Sequence, residues 1–262
     1  MTILDKIIAR KRVEVAQAKA AVPLSDLERQ PLFDRTCHVL RTSILDTAKT
    51  GIIAEYKRAS PSKGIINDRA TVNDVVSGYQ QAGASAVSVL TDADFFRGSL
   101  DDLKAARAAL QLPLLRKEFI IDTYQITEAK AYGADIVLLI AAVLPPEQVR
   151  TLSEFAKSLG LNVLLEVHDR DELERSMVDS IDAIGVNNRN LKDFSVSIAH
   201  SLELVSLIPD RFIKVSESGI SDPATITSLR EAGFQGFLIG ENFMRTEDPA
   251  QAIQEFVKTL AG

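Results

Sequence analysis

The chain has 262 residues, 46% of them hydrophobic and 25% charged, and those fractions exclude an intrinsically disordered protein. Thirty Lys and Arg against 36 Asp and Glu leave a formal charge of −6, which argues against a nucleic-acid or membrane-surface partner. A single cysteine, Cys37, excludes a disulfide framework and a cysteine-rich zinc site and fits a reducing compartment.

Residues 1–48 read as two or three helices. In the first, Leu4, Ile7, Ile8 and Val15 share a stripe between charges, unlike the unbroken apolar run of a secretory leader. Cys37 is expected on a helix of this segment. The longest apolar stretch, Ile136 to Leu144, is less than half of what spans a bilayer, so a cytoplasmic protein is expected.

From Ile52 onward one unit recurs: a short apolar run, a loop, then an amphipathic helix. Strands are expected at Ile52–Tyr56, Ala86–Leu90, Leu114–Lys117, Ile136–Ile140, Asn162–Val167, Ala183–Asn187, Phe212–Ser216 and Phe237–Ile239. Helical patterns lie between them at Val72–Ala82, Asp101–Leu110, Thr123–Tyr132, Pro146–Leu159, Arg170–Val178, Ile198–Leu207, Pro223–Ala232 and Pro249–Leu260. Gly83, Gly133, Gly160 and Gly233 each follow a helical pattern and precede a strand, where a left-handed residue ends a helix cheaply.

Apolar runs buried on both faces and separated by helices specify a parallel sheet. Eight such units, spaced by about 26 residues, give an α/β chain folded as a (β/α)8 TIM barrel. The competing doubly wound open sheet would usually carry a glycine fingerprint after its first strand, whereas Ile52–Lys57 leads into RASPSKG. Residues 1–262 read as one domain, with 1–48 an N-terminal helical extension packed on the barrel.

Barrel active sites form at the carboxyl ends of the strands. The first strand ends in Glu55-Tyr56-Lys57, and alternation aims Glu55 and Lys57 at the same, inward face. The third ends in Arg116-Lys117-Glu118 and the fifth in Glu166. The sixth ends in Asn187-Asn188-Arg189, the seventh in Ser216-Glu217-Ser218-Gly219 and the eighth in Gly240-Glu241-Asn242. A lone charge at a strand end is ordinarily just solvated. Five or six strands ending in charged or amide groups, two of them with paired inward positions, point to a site.

The loops after strands seven and eight, with Ser218-Gly219 and Gly240-Glu241, suit a phosphate held by backbone N–H groups and a short helix N-terminus. Lys57 and Arg189 add positive charge, so the expected ligand is a small phosphorylated molecule with a second anionic group. Lys117 and Glu166 form the natural acid/base pair. Burial beside other cations lowers a lysine pKa and an apolar setting raises a carboxylate's, whereas an ion pair between Lys117 and Glu55 would keep the lysine charged. Both outcomes stay open at this level. His38, His168 and His200 lack metal-ligand spacing, and His168, just beyond a strand end, is read as a loop contact. Phe95, Phe96 and Phe119 either pack as core and lid or line an aromatic pocket.

The segment EYKRASPSKG, Glu55 to Gly64, resembles the E-x-K-x-x-S-P-S signature of the indole-3-glycerol-phosphate synthase family. The resemblance continues in order through LTDADFFRGSL, LLRKEFI, ADIVLLIAAVL, LLEVH, IGVNNRNL, VSESGI and LIGENFM, covering all eight strand ends, with the apolar fourth the least specific. The resemblance implies closure of the indole ring of 1-(o-carboxyphenylamino)-1-deoxyribulose 5-phosphate, with loss of CO₂ and water and no cofactor or metal.

By the same resemblance, Lys117 is the general acid on the ribulose carbonyl and Glu166 the general base of the later dehydration. Glu55 orients Lys117, and Lys57 binds substrate as a possible second acid. Asn187 and Arg189 hold the reacting region and its carboxylate, and Glu217 is a further polar position of the site. Ser218, Gly219, Gly240 and Glu241 match the phosphate loops. Phe96, Phe119 and Leu191 match the enclosure of the anthranilate ring, with Ser60 and Pro61 in the adjoining loop. The loop from Arg58 to Arg69 is long enough to close over the ligand.

Two departures stand out. Glu118 replaces an Asp frequent in the family, and Glu241 replaces a Ser of some relatives, where its side chain can face away if its backbone N–H does the binding. A monomer is expected. Two rival readings remain at this stage: a Schiff-base aldolase with Lys117 as nucleophile, and a non-catalytic binder of phosphorylated ligands.

Overall fold

A computed structural model of the chain describes residues 2–190 and 194–261. The eight strands are β1 (Ile52–Tyr56), β2 (Ala86–Leu90), β3 (Leu114–Lys117), β4 (Ile136–Ile140), β5 (Asn162–Val167), β6 (Ala183–Asn187), β7 (Ile213–Glu217) and β8 (Gly236–Ile239). Each pairs in parallel with the next, and β8 returns to β1 through Ile52–Phe237, Ile53–Leu238 and Ala54–Ile239, closing the barrel. This is the TIM barrel expected from the repeat, and the open-sheet alternative is excluded by the closure. Among the described residues no helix is long and apolar enough to cross a membrane.

Alternation along each strand explains where the site sits. Outward side chains such as Val87, Val137, Leu165 and Ile184 pack with helix residues such as Val76, Ile126 and Leu152 into the larger core. Inward side chains near the strand starts, including Ile53, Leu115, Leu164 and Val215, fill the barrel as a second apolar cluster. The next inward position is Glu55, Lys117, Glu166 and Glu217 respectively, all on strands of the same closed barrel. The charged layer therefore rests on a packed apolar floor.

The N-terminal segment embraces both ends of the barrel. Helix α1 (Ile3–Ala21) lies at the carboxyl end, where Ile3, Leu4 and Ile7 line the main cavity. Leu40 and Ile44 of the short helix Leu40–Ile44 join the inner cluster at the opposite end. That opposite end is organised by Asp135, fully buried, which accepts hydrogen bonds from Arg107 (2.8 Å), Arg35 (2.6 Å), Leu114 N (2.9 Å) and His38 N (2.8 Å).

This capture corrects one expectation. Cys37 lies in an irregular stretch and not on a helix, because Asp135 and Asn162 hold the His38 backbone after it, while Lys130 donates to Arg35 O before it at 2.8 Å and to Cys37 Sγ at 3.1 Å. Elsewhere the differences are small. β7 begins and ends one residue later than expected, and the Ile198–Leu207 pattern is an α-helix over Ala199–Leu204 followed by a 3₁₀ turn over Val205–Leu207. The antiparallel hairpin of Ala59–Ser60 and Gly64–Ile65, and the four-residue helices Ala93–Phe96 and Glu241–Met244, are too short for periodicity to reveal.

Candidate active site

Five charged side chains converge at the carboxyl mouth. Lys117 Nζ lies 2.6 Å from Glu217 Oε2 and 3.4 Å from Glu166 Oε2. Lys57 Nζ lies 2.9 Å from Glu55 Oε1. The Lys117–Glu55 ion pair left open by the sequence does not form: Lys57, two residues on from Glu55, takes Glu55, and Lys117 reaches across to Glu217. Asn187 donates to Glu166 Oε1 at 3.0 Å, fixing that carboxylate from the neighbouring strand. These residues line a cavity of about 170 Å³ together with Ser60, Pro61, Phe96, Phe119, Arg189, Ser218 and Glu241.

The electrostatics follow from counting. Three carboxylates, Glu55, Glu166 and Glu217, face two ammonium groups, Lys57 and Lys117. Burial disfavours the charge on Lys117, but Glu217, Glu166 and Glu55 outweigh it and raise its pKa above the usual lysine value. Burial pushes Glu55 up, yet Lys57 and Lys117 hold it below the ordinary carboxylate range. For Glu166, burial is likewise outweighed by Lys117, with smaller help from His168 and Asn187. The odd carboxylate is Glu217, which burial and the neighbouring Glu166 and Glu55 push up to about 7 despite Lys117. The raised carboxylate pKa expected for Glu166 belongs to Glu217.

A pH dependence follows. Glu217 holds its proton to about pH 7 in the folded chain, against 4.5 for an ordinary glutamate, so the folded state binds the extra proton between those values. Its contribution to stability is complete below that lower value and is lost as pH rises through the upper one. Urea midpoints at pH 5 and pH 8 should therefore differ less in Glu217→Gln than in the unsubstituted chain, and an equal or larger difference would contradict the assignment.

Two glycines make room for these carboxylates. A Cβ on Gly185 would lie 2.0 Å from Glu217 Oε1, and one on Gly240 would lie 2.7 Å from Glu55 Oε1. Gly240, read from the sequence as a phosphate-loop position, thus also admits a side chain of the charged cluster.

On the other side the cavity opens into a cleft of about 320 Å³ lined by Lys57, Lys63, Arg189, Ser218, Gly219, Gly240, Glu241 and Arg245. Ser218 and Gly219 both have positive φ, 69° and 75°. For a serine this costs of order 1–3 kcal/mol, a strain sustained here by Asn188, whose amide donates to Ser218 O at 3.1 Å and to Ser216 Oγ at 3.0 Å. Gly240 precedes the helix Glu241–Met244, whose first N–H groups have no intrahelical acceptor. The Glu241 side chain faces the cleft. The two nearby cations draw it in, with Oε2 3.5 Å from Arg189 and Oε1 3.7 Å from Lys63.

The aromatic wall is Phe96, Phe119 and Phe194, with the rings of Phe96 and Phe119 6.0 Å apart and tilted by 40°; Phe95 is not part of it. Leu191 lies outside the described residues. The Arg58–Arg69 loop is the short hairpin noted above, anchored at one end by Arg58 on Asp102 and at the other by Asn67 on Met244 O and Thr246 O.

The sequence reading overlooked the buried Lys11. It lies on the same stripe as Ile7 and Val15 and forms ion pairs with Asp92 (2.8 Å) and Glu118 (2.9 Å), tying α1 to the ends of the second and third barrel units. Its spacing of four from both apolar neighbours was the available signal.

The model of the indole-3-glycerol phosphate synthase family matches residues 4–256. The chain belongs to the indole-3-glycerol phosphate synthase family. Curated relatives with that name share 47% identity in Bacteroides thetaiotaomicron, over 98% of both chains, and 47% in a Polaromonas species, over 97% of both. The chain is accordingly a carboxy-lyase of tryptophan biosynthesis, a phosphorylated substrate fits it, and the aldolase and pure-binder readings are not favoured. Solved structures resemble it in fold alone. A 3-hexulose-6-phosphate synthase from Salmonella typhimurium aligns with TM-score 0.63 at 14% identity over 80% of this chain and 98% of that one. A tryptophan synthase complex chain from Pyrococcus furiosus aligns with TM-score 0.61 at 16% identity, over 82% and 100%.

Proposed function

We propose that the Lys117–Glu217–Glu166 cluster carries out the ring closure of 1-(o-carboxyphenylamino)-1-deoxyribulose 5-phosphate, Lys117 as general acid and Glu166 as general base. The observation that carries this reading is Lys117 itself, part-buried at the mouth of the barrel and held protonated between two carboxylates. The aromatic carbon of the anthranilate ring is a weak nucleophile, and its attack on the ribulose carbonyl leaves an alkoxide more basic than an amine. An ammonium at that oxygen can deliver its proton as the charge develops. A protonated lysine has no lone pair for Schiff-base formation, which further disfavours the aldolase reading.

CO₂ then departs and the ring regains aromaticity, which supplies the driving force without an electron sink. Glu166, unprotonated and fixed by Asn187, removes the proton that accompanies loss of the hydroxyl as water. Lys57 and Arg189 hold the anionic groups, and the Ser218-Gly219 and Gly240-Glu241 loops receive the phosphate. Glu55 holds Lys57 in place and adds to the field on Lys117. Phe96 and Phe119 enclose the anthranilate ring, with Ser60 and Pro61 above it. Restraining the two reacting carbons in contact supplies several kcal/mol of the barrier.

Mixing the protein with this substrate while recording indole fluorescence and CO₂ release tests the proposal. Both signals should grow together, one CO₂ per indole. A folded protein that binds the substrate and yields neither would contradict it.

A further inference from the structure

Beside the reaction cavity lies a second cleft of about 800 Å³, which shares Leu4, Asn187 and Arg189 with it. Glu166 lines the first and not the second, whereas His168 lines the second and not the first. The two side chains are two residues apart at the end of β5, so both project to the same side. His168 Nε2 lies 3.5 Å from Glu166 Oε1 and is buried without a hydrogen-bond partner. The other ring nitrogen, Nδ1, lies 3.2 Å from Glu172 Oε2, and that same oxygen accepts from the His168 backbone N–H at 2.8 Å. The imidazole thus stands in the wall between two cavities, its orientation set by Glu172 and its free nitrogen aimed at Glu166.

We propose that His168 supplies solvent protons to the reaction through Glu166, drawing them from the second cleft by way of Glu172. The inference rests on the ring-closure reading above, and its need is a matter of balance. The substrate's carboxylate anion leaves as neutral CO₂, so substrate plus one proton gives product, CO₂ and water. Lys117 gives one proton to the carbonyl oxygen and the departing hydroxyl takes a second, while Glu166 recovers only one. Each turnover therefore draws one proton from water, although the acid/base pair sits in a cavity walled by the hairpin, α1 and the aromatic rings.

In the proposed step, Nε2–H of the imidazolium gives its proton to Glu166, and the neutral ring is reprotonated at the cleft. Burial lowers the His168 pKa, but the Glu172 hydrogen bond and the charges of Glu166, Glu172 and Glu217 outweigh it and leave it raised. Arg189, His200 and Glu203 face it across the cleft. His168 is a positioning and proton-supplying residue that acts through Glu166, not a group that touches substrate.

The test compares His168→Gln with the unsubstituted protein under steady-state turnover, with imidazole added to both. The expected result is a ten- to hundred-fold loss of kcat, roughly the low side of acid–base effects, with KM changed by less than about two-fold and the lost rate restored as imidazole concentration rises. The cleft has room for the added base, and a merely structural defect would not respond to it. An unchanged kcat, or a folded variant that imidazole does not restore, would overturn the proposal.

If His168→Gln does not fold, Glu172→Gln decides. Removing that negative partner should move the alkaline fall of kcat to lower pH by about one unit, and an unmoved limb would refute the relay. Lys117→Met serves as the control on the underlying reading. Its retention of rate would remove the acid/base assignment whatever His168 does, whereas a dead Lys117→Met beside a fully active His168→Gln removes the relay alone.

Discussion

Lys117→Met is expected to lower kcat by about 10³-fold, within the range for loss of a positioned general acid, with a much smaller change in KM. Methionine keeps the apolar stem above the barrel floor, so the change isolates the ammonium group. Its loss leaves Lys57 beside Glu55 and His168 beside Glu166 and, among the described residues, no cation beside Glu217. Lys117 is the main group holding the Glu166 pKa down and opposes the rise in Glu217, so without it both carboxylates move upward. Glu166 then arrives at the dehydration step partly protonated, and the variant loses the base as well as the acid. Initial rates of indole fluorescence at several substrate concentrations check this, and a kcat within tenfold of the unsubstituted protein would rule out Lys117 as the acid.

The largest effect on stability is expected at the opposite end of the barrel. Asp135→Ala should cost about 3–5 kcal/mol, the range for removing one partner of a buried ion pair. Arg107 is 8% exposed, and burial already disfavours its charge. Without Asp135 it keeps only carbonyl acceptors, including Leu112 O at 3.1 Å. Arg35, His38 N and Leu114 N lose the same acceptor, so the extension and the start of β3 each lose a tie to the residue before β4. Since domains are stable by roughly 5–15 kcal/mol, this is a large fraction of the total. Asp135→Asn should cost less, because the amide oxygen still accepts. Urea midpoints measure both, and a loss below about 1 kcal/mol for Asp135→Ala would show that the hub is not structural.

Much of this molecule was legible because a barrel turns one-dimensional order into geometry. A strand of alternating side chains followed by a polar residue places that residue at the mouth, so Glu55, Lys117, Glu166, Asn187 and Glu217 gather there on sequence order alone. Contacts across the barrel were not legible. Lys117 had three carboxylates within reach, and its choice of Glu217 depends on barrel diameter and on the space that Gly185 leaves. The assignment of the raised pKa to Glu217 depends on that choice in turn. Residues that act through others were hidden as well. Lys11 reads as one more surface lysine of a charged helix until Asp92 and Glu118 are seen beneath it, and Asn188 as the neighbour of two site residues until its amide is found holding Ser218. The direction of the Glu241 side chain was not legible either, because Arg189 and Lys63 meet it only in the folded chain.

In the proposed mechanism Lys117 acts before decarboxylation and Glu166 after it. Simultaneous recording of CO₂ release and indole fluorescence in a single turnover of Glu166→Gln tests it directly. CO₂ should appear at a rate near that of the unsubstituted protein while the indole signal stalls. Loss of both signals together, or of neither, would contradict the assignment of Glu166 to the dehydration.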